Sequence, residues 1–263
     1  MNKVRTVASR DNPLLARIRK LVADPGGYRK LGVLWIEGEH LCEAFVARGA
    51  VPAQAVVSDA GYERAALRAL VDRAGEVVVV PQVLMAALST LESPPAIGFV
   101  IPVPTAARLE SGVASVVLDR LQDPGNVGTV LRSAAAFGFR QVVALAGTAA
   151  LWSPKVLRAG MGAHFGLRLV ESVDEAALAG LGLPLLAADA HATLALHEAA
   201  LPWPCAWVLG HEGGGIAPTL AARCTLALRI PQPGGEESLN VASAAAVCLY
   251  ESARQALCSS ARR

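Results

Sequence analysis

The chain has 263 residues, of which 53% are hydrophobic and 17% are charged, and its formal net charge at pH 7 is +2. This composition supplies enough apolar side chains for a buried core and excludes an intrinsically disordered chain. A net charge so close to zero identifies no class of binding partner by itself.

The positive charge is concentrated at the amino terminus. Residues 1–30 contain eight lysines and arginines and only two aspartates, so this segment carries +6 and the rest of the chain carries −4. A basic segment of this kind suits contact with a polyanion. It suits equally well a helix whose charged face is simply solvated, and both interpretations stay open.

The first hundred residues alternate between helical and strand patterns. Asp11-Asn12-Pro13 combines a capping side chain with a proline in the first turn, which predicts a helix start, and apolar residues then recur at helical spacing as far as Val22. After the glycines at 26 and 27 we predict strands over 32–36, 55–58, 77–80 and 97–101, with helices over 39–48 and 63–73. Alternating elements predict a sheet with helices on its faces.

A proline-containing polar stretch, residues 102–112, predicts a linker, and beyond it the alternation resumes. We predict strands over 113–118, 141–145, 166–170, 185–188, 206–209 and 226–230, and helices over 127–137, 154–160, 174–179, 218–223 and 241–256. The chain therefore divides into two predicted α/β domains, residues 1–105 and residues 112–263.

The five cysteines are widely spaced and form no Cys-x-x-Cys pair. This pattern indicates neither a disulfide framework nor a zinc site and favours a reduced, cytoplasmic compartment. The longest stretches without Asp, Glu, Lys or Arg, residues 77–91 and 93–107, contain prolines and are shorter than the ~20 apolar residues of a membrane helix. We therefore expect a soluble protein with no metal and no membrane partner.

Three segments of the second predicted domain place glycine and polar residues directly after a strand, where α/β folds build ligand sites. They cover residues 123–132, 209–216 and 230–240. Each also has a purely structural interpretation, because Asn126 and Ser238 could each cap a helix and the glycines at 213–215 could simply turn the chain. The presence of all three segments in one domain favours a ligand site.

The order, spacing and composition of these segments resemble the three motifs of the SpoU-type (TrmH-like) 2′-O-ribose RNA methyltransferases, a family of the SPOUT superfamily. The resemblance covers residues 113–256. The motifs are matched by Asn126, Gly128 and Arg132 in the first segment, by Gly210, Glu212 and Gly215 in the second, and by Ile230-Pro231 and Ser238-Leu239-Asn240-Val241 in the third.

The resemblance extends less distinctively to residues 28–100, where Ile36-Glu37-Gly38-Glu39-His40 lies at the position of a Glu-Gly signature in the family's RNA-recognition domain. The chain departs from the family pattern at His211, Gly214 and Gln232. These departures affect the details of RNA contact and leave the reaction class unchanged.

The resemblance implies an α/β fold with a carboxy-terminal SPOUT domain, residues 112–263, that has a parallel sheet and a deep trefoil knot. A smaller amino-terminal α/β domain, residues 1–105 with its basic leading helix, would bind the RNA substrate. The implied cofactor is S-adenosylmethionine (AdoMet), its adenosine held by backbone groups of Gly210, Ile230 and Leu239. The implied substrate is RNA, ribosomal rather than transfer RNA.

The resemblance also implies a catalytic set formed by Arg132, Asn126, Glu212, Ser238 and Asn240. Because a guanidinium stays protonated, we assign Arg132 to holding a phosphate and stabilising the forming alkoxide rather than to removing a proton. Asn126, Ser238 and Asn240 would orient these groups. Glu212 would either fix Arg132 or accept the proton, and His211 is a further candidate.

The family is expected to form homodimers through the catalytic domain, which would let Arg132 of one subunit approach the cofactor of the other. The apolar face of the last helix (Val241, Ala245, Val247 and Leu249) is the expected interface.

Three alternatives share this fold: a non-catalytic RNA-binding ribosome assembly factor, a transfer-RNA-directed methyltransferase, and a base-methylating SPOUT enzyme, which the Ser-Leu-Asn motif disfavours. Unrelated enzyme classes lack support, because His211-Glu212 has no second histidine of a zinc protease and the chain has no Walker loop.

Overall fold

A computed structural model describes residues 3–235 and 238–260, so residues 236 and 237 of the third motif lie outside the described part. The chain forms two compact units. The first comprises the chain up to Thr105 together with Trp152–Phe165, and the second comprises Ala106–Leu151 and the chain from Gly166 onwards.

The first unit contains a five-stranded sheet with helices between its strands. Its elements are β1 (Lys3–Thr6), α1 (Pro13–Ala23), α2 (Gly27–Leu31), β2 (Val33–Glu37), α3 (Glu39–Val46), β3 (Gln54–Ser58), α4 (Asp59–Tyr62), α5 (Ala65–Val71), β4 (Glu76–Val80), α6 (Gln82–Ala86) and β5 (Ile97–Pro102). The strand order is β1-β4-β3-β5-β2. β1, β4 and β3 run parallel, and β5 runs antiparallel to both of its neighbours.

The predicted leading helix is confirmed, because Asn12 caps α1 with its side chain and Leu14, Leu15, Ile18 and Leu21 are buried. The structure differs from the prediction elsewhere in this unit. β1, α2, α4 and α6 fall where no element was predicted, and the helix predicted over 63–73 is the shorter α5. β1 is a short edge strand fixed by tertiary contacts, since Arg5 pairs with Glu76 of β4 at 2.7 Å, and such contacts leave no local pattern.

The second unit contains a seven-stranded sheet, all of whose strand pairs are parallel. Its order is β10-β12-β9-β11-β6-β7-β8. The elements are β6 (Ser115–Leu118), α7 (Pro124–Ala136), β7 (Gln141–Leu145), β8 (Arg168–Val173), β9 (Leu185–Ala188), β10 (Leu194–Ala195), β11 (Ala206–Leu209), α9 (Pro218–Ala221), β12 (Leu226–Arg229) and α10 (Val241–Ser260), with α8 (Pro154–Gly160) lying in the first unit. The predicted α/β class and parallel sheet are confirmed, and the knotted path stays a prediction.

Two predicted elements of this half are wrong in type or extent. The helix predicted over 174–179 is a 3-10 helix, Glu175–Leu181, and β8 begins at Arg168 because Ala163–Gly166 forms another 3-10 helix. Strand β10 was not predicted. It is only two residues long, which is too short for an alternating pattern.

The segment Trp152–Phe165 leaves the continuous range predicted for the second domain and packs in the first unit. Arg158 of α8 donates a hydrogen bond at 2.8 Å to the buried carboxylate of Glu37, at the end of β2. The rings of Phe45 and Phe165 meet edge to face, with centroids 5.2 Å apart. An ion pair between residues so distant in sequence leaves no local pattern. The sequence therefore did not indicate that residues 152–165 belong to the first unit.

The last helix buries part of the face predicted to form a dimer interface. Ala245 and Leu249 are fully buried within the second unit, where α10 packs against α7, so these two residues cannot contact another subunit. Val247 remains 42% exposed. In the described part of the chain, no helix is both long and apolar enough to cross a membrane.

Candidate active site

A cleft of about 700 Å³ opens beside the carboxyl ends of three adjacent strands, β12, β9 and β11. In a parallel sheet the strand ends and the loops after them form the ligand-binding edge. The second and third motifs both line this cleft, through Gly210, Glu212, Gly215, Ile230, Ser238, Leu239 and Asn240.

The glycine loop of the second motif closes on itself. His211 and Gly215 exchange two backbone hydrogen bonds, of 3.0 and 2.9 Å. A Cβ atom on Gly210 would overlap the backbone of Gly215 and Ile216. Glycine at position 210 is therefore required for the close approach that shapes the loop.

His211 stabilises this loop from inside. Its Nδ1 accepts hydrogen bonds from the backbone N–H groups of Gly213 and Gly214, at 3.0 and 3.1 Å. The lone pair of Nδ1 is therefore engaged within the loop. The departure at His211 thus has a local structural role.

Glu212 joins the second motif to the first. Its carboxylate accepts hydrogen bonds from the backbone N–H groups of Gln122 and Asp123, at 3.2 and 3.1 Å, and from the side-chain amide of Asn126, at 3.2 Å. Desolvation acts to raise the pKa of Glu212, but its own backbone and these donors outweigh that effect and lower the pKa below its usual value. The carboxylate is therefore held in its ionised form.

Asn126 joins the first motif to the third. Its side-chain oxygen accepts a hydrogen bond of 3.0 Å from the side-chain amide of Asn240. The oxygen of Asn240 in turn accepts from the backbone N–H groups of Ala242 and Ser243 at the start of α10. We call the chain formed by Glu212, Asn126 and Asn240 the motif bridge.

Both capping interpretations of the motif residues are wrong. The side chain that caps α7 is Asp123, which accepts from the backbone N–H of Asn126 at 2.8 Å. The side chain that caps α10 is Asn240 and not Ser238. Asn126 lies inside the first turn of α7, so its amide is directed to the other two motifs.

Arg132 stands apart from the motif bridge. It lies on α7 and is exposed, and its side chain makes no ion pair or hydrogen bond with the described residues. It does not line the cleft, and Glu212 contacts Asn126 rather than Arg132. The structure thus brings Asn126, Glu212 and Asn240 together and leaves the guanidinium of Arg132 facing solvent.

Sequence reasoning missed Asp119, which follows β6 and is 2% exposed. Its carboxylate accepts from the backbone N–H of Ala217 at 2.7 Å and pairs with Arg120, also at 2.7 Å. Burial acts to raise the pKa of Asp119, but these hydrogen bonds, led by that from Arg120, lower it. Asp119 therefore anchors the end of the glycine loop, and its place directly after a buried strand was the available signal.

Sequence reasoning also missed the loop after β9, where Asp189 and His191 line the cleft. Gln232, a departure from the family pattern, lines it too, so that departure acts at the cleft. The cleft combines apolar side chains such as Ile230 and Leu239 with many loop backbone groups, which suits a small-molecule ligand. The described residues contain no group of three His, Cys, Asp or Glu placed to hold a metal ion.

Comparison with known proteins supplies the context of this cleft. The family model of the SpoU rRNA Methylase family matches residues 114–250. An uncharacterized tRNA/rRNA methyltransferase of Synechocystis sp. is 32% identical over 96% of this chain and 94% of that protein. A 23S rRNA (guanosine(2553)-2′-O)-methyltransferase of Bacillus subtilis is 30% identical over 84% of this chain and 88% of that protein.

Among solved structures, the AdoMet-bound rRNA methyltransferase of Sinorhizobium meliloti is similar over nearly the whole length. It aligns with a TM-score of 0.82 and 25% identity, covering 97% of this chain and 98% of that one.

The closed glycine loop makes a specific prediction about Gly210. We expect Gly210→Ala to weaken AdoMet binding about 5- to 150-fold, because forcing a methyl group into a packed site typically costs ~1–3 kcal/mol. Gly214→Ala is the matched control, since its Cβ would meet only the His211 ring at 3.8 Å. Titration calorimetry measures both affinities, and equal binding by the two variants would contradict the prediction.

Proposed function

The chain belongs to the SpoU rRNA Methylase family, and from this premise we propose that it transfers a methyl group from AdoMet to a ribose 2′-hydroxyl of ribosomal RNA. As a member of this family it is an AdoMet-dependent methyltransferase. The motif bridge carries the proposal for this chain, because it holds all three motifs beside one cleft of small-molecule size. The Bacillus relative is named for 23S ribosomal RNA, which supports ribosomal over transfer RNA.

The cleft suits AdoMet in size and chemistry. Its volume of about 700 Å³ falls within the ~300–1,000 Å³ of small-molecule sites. We assign the adenosine portion to backbone groups of Gly210, Ile230 and Leu239, all of which line the cleft. When bound, AdoMet supplies a methyl group activated by a sulfonium, so the protein has mainly to align the reacting groups.

Arg132 is the residue we assign to activating the ribose hydroxyl. Its exposed guanidinium has no partner among the described residues, so it is available to hold an RNA phosphate and stabilise the forming alkoxide. Glu212 and His211 are engaged in fixing the loops. In this proposal the hydroxyl proton therefore leaves to solvent, and Glu212, Asn126 and Asn240 act as positioning residues. Ser238, at the cleft, orients the bound groups.

RNA contact is assigned to the amino-terminal unit. Three of its leading cations serve internal contacts, since Arg5 pairs with Glu76, and Arg17 and Arg19 donate to backbone carbonyls. The cations that remain exposed and have no side-chain hydrogen bond or ion pair with the described residues are Lys3, Arg10, Lys20 and Lys30. These four are positioned for phosphate contact. The cytoplasm, where ribosomal RNA is modified and the five free cysteines stay reduced, is the proposed location.

A homodimer is part of the proposal, with a revised interface. The exposed side of α10 carries Ser243, Val247, Tyr250 and Arg254 at spacings of three and four residues, which places them on one helix face. Val247 is 42% and Tyr250 is 54% exposed. Because Arg132 does not line the cleft of its own chain, we assign it to the cofactor cleft of the other subunit in this two-fold pair.

The assignment of Arg132 predicts the effect of a charge-conserving change. We expect Arg132→Lys to fold and bind AdoMet normally but to lose about 10²–10³ in rate, because lysine lacks the planar fork that holds two oxygens together. Single-turnover transfer of labelled methyl to unmodified ribosomal RNA transcripts measures the effect, with the exposed Arg140→Lys as the control. A rate for Arg132→Lys within a few-fold of wild type would refute the role.

The RNA-binding role of the amino-terminal unit predicts a change in salt dependence. Each phosphate contact contributes about 0.7–0.9 to the slope of log K against log salt, so Lys20→Gln combined with Lys30→Gln should lower the slope by about 1.5. Filter binding of ribosomal RNA transcripts measures it. Arg48→Gln with Arg73→Gln, which removes two other exposed cations of the same unit, is the control, and identical slopes for both double variants would argue against the proposal.

A further inference from the structure

Asp189 occupies a central position in the cleft. It follows β9, the middle strand of the three whose carboxyl ends form the cleft. Its backbone N–H donates to the carbonyl of Leu228 at 3.0 Å, and its Oδ1 accepts from the backbone N–H of His191 at 2.9 Å. The second oxygen of the half-buried carboxylate has no hydrogen-bond partner among the described residues. These bonds fix a carboxylate with one available oxygen on the cleft wall.

The charges that line the cleft are unbalanced. The described lining residues include two carboxylates, Asp189 and Glu212, and no lysine or arginine. Glu212 is occupied by the donors around the first motif. The other titratable groups of the lining are the imidazoles of His191 and His211. Both lining carboxylates keep their charge, since the donors to Glu212 are neutral, and Asp189 is the one that has an oxygen available to a bound ligand.

We propose that Asp189 makes the cleft select its ligand by charge, favouring the cationic methyl donor over the neutral product. This inference rests on the proposed function. When the methyl group passes to the ribose oxygen, the carbon–sulfur bond breaks, its electron pair stays on sulfur, and the sulfonium becomes a neutral thioether. The O–H proton leaves to solvent as the O–CH₃ bond forms. The ligand therefore loses one positive charge in the reaction.

The small size of the cleft gives this charge its effect. A sphere of about 700 Å³ is roughly 11 Å across, so a cation bound in the cleft lies at a distance from Asp189 comparable with the Debye length, ~8–10 Å at physiological ionic strength. In a partly exposed site such a pair changes affinity by about threefold to tenfold. Asp189 thus holds AdoMet before transfer and loses that attraction once the product has formed, which favours exchange of product for new donor.

The test compares three ligands that differ in charge at one position. AdoMet carries a sulfonium, sinefungin carries an amine cation near the same place, and S-adenosylhomocysteine is neutral there. Titration calorimetry in mildly alkaline buffer gives the Kd of each for wild type, Asp189→Asn and the control Asp174→Asn. Asparagine keeps the oxygen that accepts from His191, so the loop retains its hydrogen bond. Asp174 is an exposed residue of the same unit that does not line the cleft.

We expect Asp189→Asn to weaken AdoMet and sinefungin by about threefold to tenfold and to leave S-adenosylhomocysteine within twofold, while Asp174→Asn changes none of the three. Raising the salt concentration should reduce the preference of wild type for the cations. An equal loss of affinity for all three ligands, or no loss for any of them, would overturn the inference and leave the proposed methyltransferase function intact. If wild type bound none of the three, the cofactor assignment itself would fail, and this inference with it.

Discussion

The hydrogen-bonded bridge of Glu212, Asn126 and Asn240 is the constraint on which the site depends. Its members come from three segments separated by up to 114 residues, and each contact is between 3.0 and 3.2 Å. The bridge brings the start of α7, the glycine loop after β11 and the start of α10 to one edge of the sheet. Without it, each loop would have to find its position separately, at the cost of its own conformational entropy.

The bridge is built from groups that the fold must satisfy in any case. The first N–H groups of a helix have no partner within the helix, and here Asp123 accepts from α7 and Asn240 accepts from α10. Glu212 takes two further loop donors, at Gln122 and Asp123. The polar residues of the bridge therefore hold the loops in place, whereas Arg132 and Asp189 keep polar atoms available for ligands. Some polar residues of this domain thus shape the cleft, and others supply its chemistry.

The sequence predicted what depends on local patterns. Runs such as Ala206–Leu209 and Leu185–Ala188 were predicted as buried strands, and parallel-sheet topology placed the loops after them at one edge. It could not predict what depends on long-range pairing. The partners of Asn126 and Asn240, the edge strand β1, and the exchange of residues 152–165 into the first unit through Glu37 and Arg158 are tertiary effects. Asp119 and Asp189 were missed because a single aspartate after a strand is common.

A double-mutant cycle between Asn126→Ala and Asn240→Ala tests the motif bridge most directly. AdoMet affinity is measured by calorimetry for wild type, both single variants and the double variant, with Asn126→Ala and the distant Asp174→Ala as the reference cycle. Residues in one hydrogen-bond network couple by about 0.5–3 kcal/mol, and the bridge predicts a coupling in this range because either substitution breaks the same link. Losses that add to within about 0.3–0.5 kcal/mol, as for independent sites, would contradict the account.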